Sequence, residues 1–220
     1  MKIVVICRTL NEESLIADFC NNHQFANLIL IADGGSTDKT KQVAKTYFNV
    51  KVKDFTKQID IGGVLTNPES EHINFLINWA IVEQADWILL DDADSWPNLA
   101  LQKDARKILE RTNKSCVLIN RFYMWKQDHY FPKINEAGPG LWGWNPRRID
   151  IHWPEGQPTM FETVGPMPDN AIILKKPYAG LHYFCHNREE KLKRYAAWGH
   201  PQLPLENGIY WPPELLPEWV

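Results

Sequence analysis

The first 125 residues alternate short apolar runs with amphipathic segments, and this alternation limits the possible folds more than any other feature of the sequence. The run IVVIC at 3–7 is continuous and rich in β-branched residues, as expected of a strand buried on both faces of a parallel sheet. ANLILIAD at 26–33 and DWILLDD at 86–92 repeat the pattern. The alternation predicts an α/β fold, with a mainly parallel, Rossmann-like sheet and flanking helices.

The segments between and after these runs predict the remaining elements. Helical spacing of apolar residues, caps and acidic first turns indicate the helices, whereas apolar or alternating runs indicate the strands. Helices are predicted at 11–23, within 34–48, after Pro68 up to 85, at 98–112 and at 187–199, and further strands at 50–55 and 115–125.

Residues 126–220 differ from the first part in composition. They are dense in Pro, Gly and Trp, and they contain most of the ten tryptophans of the chain. This composition favours irregular structure with short strands, the kind of loop-rich surface that carries binding sites. We therefore divide the chain into residues 1–125 and 126–220, as two parts of one compact domain.

Charge and cysteine content favour a soluble protein of a reducing compartment. The formal net charge of −3 gives no basic footprint for nucleic acid or for an anionic membrane surface. Cys7, Cys20, Cys116 and Cys185 are scattered, which indicates buried free thiols. No stretch resembles a signal peptide or a membrane span. We expect a cytoplasmic protein, with peripheral association with a membrane as the alternative.

Polar loops follow three of the predicted strands: RTLNEE, DGGSTD and DDAD. In open α/β sheets, ligands bind at the carboxyl ends of strands, so the three loops should face one crevice. Asp92 and Asp94 flank a small residue and can converge on one point, where Mg²⁺ or Mn²⁺ would cancel their repulsion. The alternatives are an acidic turn that caps the helix after Pro97 and, for DGGSTD, an ordinary helix-capping turn.

Together, these loops resemble those of family 2 glycosyltransferases with the GT-A fold. The resemblance covers the first 95 residues nearly end to end, the middle weakly and the tail not at all. Its last two motifs are most similar to those of bacterial transferases of the lipopolysaccharide-core type. The motifs are TLNEE at 9–13, DGGSTDKT at 33–40, NFLINWAIVEQADWILLDDAD at 74–94 and LHYFCHNREEKLKRY at 181–195.

The resemblance implies a nucleotide-diphosphate-sugar donor, with a UDP-sugar favoured, across the strand ends of the first part. The expected donor-binding residues are Thr9, Asn11 and Glu12 at the nucleoside, Asp33 at the base or ribose with Gly35 and Ser36 beside it, and Asp92 at the ribose or the metal. Asp91 is expected either to contact the donor sugar or to end the strand. Relatives usually carry an arginine before Asn74, where this chain has His72 and Ile73, so His72, Lys53 or Arg8 is expected to replace it.

The resemblance also implies a cation, Mn²⁺ or Mg²⁺, held by the DxD pair of Asp92 and Asp94 and by a late histidine. His182 is the expected third ligand and His186 the alternative. A zinc site formed by His182, Cys185 and His186 is discounted, because no second ligand cluster completes it. The cation would neutralise the departing diphosphate, which makes Asp92 and Asp94 catalytic as well as metal-binding.

An inverting transfer needs a carboxylate to take the proton of the acceptor hydroxyl. The resemblance implies that an acidic residue about twenty positions before the late histidine is this base, and Glu162 lies twenty residues before His182. Its rivals are Asp150, Glu155 and Asp169.

The second part, 126–220, is expected to bind the acceptor. Trp142 and Trp144 are predicted to be exposed and to stack on sugar rings, although tryptophans equally supply core area. Arg147 is expected to meet an acidic group of the acceptor. The acceptor itself is expected to be a saccharide or glycan, either free or lipid-linked, with a nucleic-acid acceptor as an alternative.

The sequence thus predicts a metal-dependent, inverting glycosyltransferase. The alternative is a non-catalytic protein that binds a sugar or a nucleotide-sugar, because tryptophans also suit binding alone and the missing arginine before Asn74 is consistent with lost catalysis.

Overall fold

The structure, a computed structural model, describes residues 1–61, 64–126, 129–130, 139–154, 170–183, 214–215, 217–218 and 220. The strands are β1 Ile3–Thr9, β2 Leu28–Asp33, β3 Val50–Asp54, β4 Ile59–Ile61, β5 Val64–Thr66, β6 Trp87–Leu90, β7 Ser95–Pro97, β8 Cys116–Ile119, β9 Arg121–Lys126, β10 His129–Tyr130, β11 Gly140–Trp144, β12 Ala171–Leu174, β13 Gly180–His182 and β14 Glu214–Leu215. The helices are α1 Ile16–Asn22, α2 Thr40–Ala44, α3 Glu69–Val82 and α4 Leu99–Arg111.

Among the described residues, seven strands form the main sheet, in the order β12-β8-β11-β6-β1-β2-β3. All neighbouring pairs are parallel except the two that involve β11, which runs antiparallel between β6 and β8. The predicted α/β fold with a mainly parallel sheet is therefore confirmed. Because β1, β2 and β6 are mutually parallel, their carboxyl ends and the polar loops that follow them lie at one edge of the sheet.

Alternate residues of the central strands supply two cores, one on each face of the sheet. Ile3, Val5 and Cys7 pack with residues of α1, α2 and α4, whereas Val4 and Ile6 pack with residues of α3. A strand buried on both faces needs a continuous apolar run, which is why β1, β2 and β6 could be recognised in the sequence.

A second sheet has the strand order β14-β10-β9-β13-β7 and adjoins the carboxyl edge of the first. Its strand β7 directly follows the acidic turn, and β13 pairs antiparallel with it, with His182 opposite Ser95. The predicted strand 115–125 is divided at Asn120 into β8 and β9, which belong to different sheets. The polar residues Asn120 and Arg121 interrupt the apolar run there, but they do not specify a change of partner strand.

The predicted second part also contributes to the main sheet, through β11 and β12. Trp142 and Trp144 lie on β11 and are fully buried, one in each core. The predicted exposure of both tryptophans is therefore wrong, because the Gly/Trp-rich segment is an interior strand and not a surface loop. The predicted helix at 187–199 lies outside the described residues.

Cys7, Cys20 and Cys116 are buried free thiols, as predicted, and Cys185 is not among the described residues. Within the described ranges, every helix is too short or too polar to cross a membrane.

Candidate functional site

The acidic turn after β6 places Asp91 and Asp92 in opposite environments, because successive side chains of an extended chain point to opposite sides. Asp91 points into the core, where its Oδ2 atom lies 3.0 Å from His23 Nε2 and accepts a hydrogen bond of 3.1 Å from Trp142 Nε1. Arg121 Nη2 lies 3.4 Å from the other carboxylate oxygen. The Asp91 side chain is only 1% exposed. Of the two roles predicted for Asp91, the structure supports the one at the end of the strand. The predicted contact of Asp91 with a donor sugar is therefore corrected.

Asp92 points outward, with 47% of its side chain exposed, and pairs with a partly buried arginine. Arg8, at the end of β1, donates from Nη2 to Asp92 Oδ1 at 3.0 Å and meets Glu69 Oε1 with Nη1 at 3.0 Å. Burial alone would lower the pKa of the Arg8 guanidinium, but Glu69 and Asp92 raise this pKa above its ordinary value. Arg8 is therefore a permanent positive charge beside the acidic turn.

Asp94 lies beside the late histidine. Its Oδ1 atom is 3.3 Å from His182 Nε2, and its carbonyl oxygen accepts a hydrogen bond of 2.7 Å from the backbone of Tyr183. The pairing of β13 with β7 causes this proximity. The ring of Tyr123 lies on the other side of His182, with 5.2 Å between ring centroids.

The predicted cation ligands are thus brought together only in part. Asp94 and His182 present a carboxylate and an imidazole side by side, a donor set that suits Mn²⁺. Asp92 lies in the same turn, but its carboxylate is turned to Arg8. Within the described ranges, no three His, Cys, Asp or Glu side chains already form a complete metal cluster. The carboxylates of Asp94 and Asp92 and the imidazole of His182 are ligand types that suit a divalent cation.

Asp33 forms the centre of the loop between β2 and α2. Its Oδ1 accepts the backbone N–H groups of Gly35 and Ser36 at 3.0 and 2.8 Å. Its Oδ2 accepts the hydroxyls of Ser36 and Thr9 at 2.6 and 3.1 Å. Asp33 and Thr9 are buried, whereas Gly35, at φ of 102°, is exposed. Asp33 therefore shapes this loop, and its contact with a base or ribose stays a prediction.

The loops after β1 and β2 are joined by side-chain hydrogen bonds. The backbone N–H groups of Asn11 and Glu12 donate to the hydroxyls of Ser36 and Thr40, both at 2.8 Å. In return, Asn11 Oδ1 accepts the N–H of Thr37 at 2.9 Å. Asn11 has a positive φ of 56°, a conformation that asparagine tolerates well. The predicted nucleoside-binding residues therefore form one connected surface.

Asn67, which was not predicted from the sequence, packs against this surface at Gly34. It is buried after β5, and its Nδ2 donates to the carbonyl of Lys57 at 2.8 Å. A Cβ atom placed on Gly34 would lie only 1.9 Å from Asn67 Oδ1, so Asn67 occupies the space that a side chain at position 34 would need. The glycine pair in DGGSTD indicates that some group approaches the backbone closely here, but the sequence does not show that this group is Asn67.

The three residues proposed to replace the missing arginine have different surroundings. His72 is buried, stacks on Phe55 with 4.2 Å between centroids and lies 2.9 Å from the carbonyl of Ala32. Burial, with the nearby Arg8 charge, lowers the pKa of His72 to about 4, so its ring is neutral. The structure thus corrects the prediction of His72 as a donor contact. Lys53 lies over the ring of Trp79. Of His72, Lys53 and Arg8, it is Arg8 that contacts the acidic turn, through Asp92.

The predicted acceptor residues do not form a platform. Trp142 and Trp144 are in the core, so neither can stack on a sugar. Arg147 pairs with Asp86 at 2.9 Å, before the amino end of β6, because β11 runs antiparallel to that strand. The assignment of Trp142, Trp144 and Arg147 to the acceptor is therefore corrected.

Most of the residues predicted as the catalytic base lie outside the described residues. Glu162, Glu155 and Asp169 lie outside the described residues, as does His186. Asp150 is exposed and lies 2.8 Å from His152.

No protein-family model matches the chain, and no curated protein sequence matches it. Among solved structures, it is similar to residues 1–349 of TarS from S. aureus, a GT-A-type glycosyltransferase, with a TM-score of 0.59 and 18% identity over 89% of this chain and 64% of that one. The TarS complex with UDP-GlcNAc gives a TM-score of 0.56 and 19% identity over 83% and 59% of the two chains. The chain thus spans less than two thirds of the TarS fragment. The comparison confirms the predicted GT-A-type α/β fold. The closer resemblance to transferases of the lipopolysaccharide-core type stays a prediction.

Proposed function

We propose that the chain is a glycosyltransferase that moves a sugar from a nucleotide-diphosphate-sugar, with a UDP-sugar favoured, to an acceptor hydroxyl. The observation that carries the proposal is the pairing of Asp94 with His182 at 3.3 Å, next to Asp92, at the carboxyl edge of β6. The fold supports it, since TarS has the same fold and is known in complex with UDP-GlcNAc.

In the proposed reaction, Asp94, His182 and Asp92 would hold Mn²⁺ or Mg²⁺ at the diphosphate of the donor. The cation would supply the positive charge that makes the diphosphate a better leaving group. The connected loops after β1 and β2 hold the nucleoside, and the buried Asp33 keeps their shape fixed. A rigid surface of this kind lowers the entropy lost when the donor is oriented.

The proposed transfer is inverting, with Glu162 as the base that takes the proton of the acceptor hydroxyl. Glu162→Gln should spare donor binding and remove transfer. Full transfer activity in this variant would move the role to Asp150, Glu155 or Asp169. The proposed acceptor is a saccharide or glycan, free or lipid-linked, which a cytoplasmic enzyme could meet at the membrane surface.

The burial of Trp142 and Trp144 weakens one of the two grounds for a non-catalytic sugar-binding protein, the tryptophans, whereas the other ground, the missing arginine before Asn74, is unaffected. Release of nucleoside diphosphate from a panel of nucleotide-sugars, with Mn²⁺ and with EDTA, tests the proposal. We expect Mn²⁺-dependent release of UDP from at least one UDP-sugar, slow with water and faster with the acceptor. Donor binding without release from any donor, with or without saccharide acceptors, would favour the non-catalytic alternative.

A further inference from the structure

Arg8 is a partly buried cation, with 17% of its side chain exposed, held between two carboxylates from different elements. Glu69, in the first turn of α3, holds Nη1, and Asp92, in the acidic turn, holds Nη2, each at 3.0 Å. The Asp92 carboxylate is the more exposed of the two, at 47% against 16% for Glu69. Glu69 therefore anchors the guanidinium, whereas the contact with Asp92 lies at the open side of the site.

The hydrogen bonding of this arginine is incomplete. Arg8 Nε is buried and has no hydrogen-bond partner among the described residues. A buried N–H group without a partner costs free energy, and such a group in a site commonly marks the place of a missing anion or water. A guanidinium has five N–H groups in a fixed fork that suits phosphate oxygens.

We propose that Arg8 is a diphosphate-binding residue that also protects Asp92 from a cation until the donor arrives. This inference rests on the proposed function. Without donor, Arg8 neutralises Asp92. With donor and cation together, Asp92 would leave Arg8 and hold the cation, and the released side of the Arg8 guanidinium would donate to a phosphate oxygen. The N–H groups released by Asp92 and the unpartnered Nε then gain an acceptor.

Electrostatics makes the two binding events depend on each other. A divalent cation alone at Asp92 and Asp94 would stand close to the positive charge of Arg8, which opposes its binding. The diphosphate adds negative charge, which attracts both the cation and the Arg8 guanidinium. Arg8 therefore weakens binding of the cation by itself and strengthens binding of cation and diphosphate together, a coupling that acts equally in both directions.

The test measures the two affinities separately in the whole chain. Mn²⁺ alone is titrated by the electron paramagnetic resonance of free Mn²⁺, and UDP is titrated calorimetrically at saturating Mn²⁺. In Arg8→Gln, which keeps polar contact with Glu69 without the charge, we expect Mn²⁺ alone to bind about tenfold more tightly. We expect UDP to bind roughly 10- to 100-fold more weakly, the range of a charge-assisted hydrogen bond. A role in folding alone would weaken both or change neither.

Arg106→Gln is the matched control. Arg106 donates to the carbonyl of Met1 and to Asn27, before the amino ends of β1 and β2, so both affinities should stay within about twofold of the unchanged chain. If Arg8→Gln does not fold, as judged by circular dichroism, Arg8→Lys replaces it. That variant keeps the charge and loses the fork, so Mn²⁺ alone should bind as before and UDP about three- to tenfold more weakly.

The outcomes separate this inference from the function on which it rests. If the unchanged chain binds no nucleoside diphosphate with Mn²⁺, the proposed donor site fails, and the inference fails with it. If the unchanged chain binds UDP with Mn²⁺, but Arg8→Gln moves both affinities in the same direction or leaves UDP unchanged, only the inference is overturned. Unchanged UDP affinity in Arg8→Lys also overturns it.

Discussion

At the scale of single residues, the three aspartates of the acidic turn have three different partners. Asp91 is bound in the core by His23 and Trp142, Asp92 pairs with Arg8, and Asp94 lies beside His182. The sequence shows three similar carboxylates, and only the path of the chain after β6 gives each its surroundings. The residue types and their order could be predicted to form a site, but not the inward direction of Asp91.

Replacing Asp94 tests the cation site with little change in shape. Asp94→Asn removes the negative charge beside His182, and this charge would attract Mn²⁺. We expect loss of about 100-fold or more in Mn²⁺-dependent UDP affinity, measured by calorimetry, with a midpoint of thermal unfolding within a few degrees. Asp104→Asn, on α4, serves as the control for the loss of one carboxylate. Unchanged UDP affinity in Asp94→Asn would contradict the assignment.

His72 should make stability depend on pH. Because burial lowers its folded-state pKa to about 4, the folded chain binds fewer protons at His72 than the unfolded chain, whose pKa is near 6.5. The stabilisation is complete above pH 6.5 and is lost as the pH falls from 6.5 to 4. From pH 7 to pH 5 the loss is about 2 kcal/mol in the free energy of unfolding.

Urea unfolding at pH 7 and pH 5 measures this effect. His72→Gln can keep a hydrogen bond to Ala32 but does not titrate, so its stability should fall by about 2 kcal/mol less than that of the unchanged chain. Equal losses in the two proteins would show that His72 is not the group responsible.

At the scale of elements, the donor surface depends on how closely loop segments approach one another. Gly34 donates its N–H to the carbonyl of Thr9 at 2.8 Å, and Asn67 fills the space beside it. The glycines were readable as a loop that a ligand approaches. The structure shows that at Gly34 the approaching group is a side chain of the protein itself.

A double-mutant cycle tests this approach. A Cβ atom at Gly34 would stand 1.9 Å from Asn67 Oδ1, so Gly34→Ala must displace Asn67 from the carbonyl of Lys57. We expect Gly34→Ala to cost about 1–3 kcal/mol of stability. In an Asn67→Ala background the same change should cost less, because the clash is gone, and the difference gives the coupling energy. Strict additivity of the two changes in urea unfolding would argue against the contact.

The remaining elements show why part of the fold could not be predicted. β1, β2, β6 and the helices between them carry their own periodicity, so their type is visible in isolation. The break at Asn120 and the antiparallel insertion of β11 are decided by distant partners, and no local pattern encodes them. For the same reason the sequence left two roles open for Trp142 and Trp144, stacking on sugars and core packing, since their Gly-rich surroundings resemble a loop.

At the scale of the whole molecule, both parts of the chain build the main sheet. β11, from residues 140–144, separates β6 from β8, so residues 1–126 by themselves lack the strand that joins two sections of the sheet. We expect the fragment 1–126 to show no cooperative unfolding by circular dichroism in urea, in contrast to the full chain. A sigmoidal transition in the fragment would show that its strands close the gap without β11.

The pairing of β7 with β13 also sets the moment at which the site becomes complete during synthesis. The acidic turn leaves the ribosome well before Gly180–His182, so a growing chain carries the carboxylates before it has the imidazole. A nascent chain is thus kept from assembling the proposed cation site. The proposed site is therefore complete only in a chain that has been synthesised and folded at least as far as residue 182.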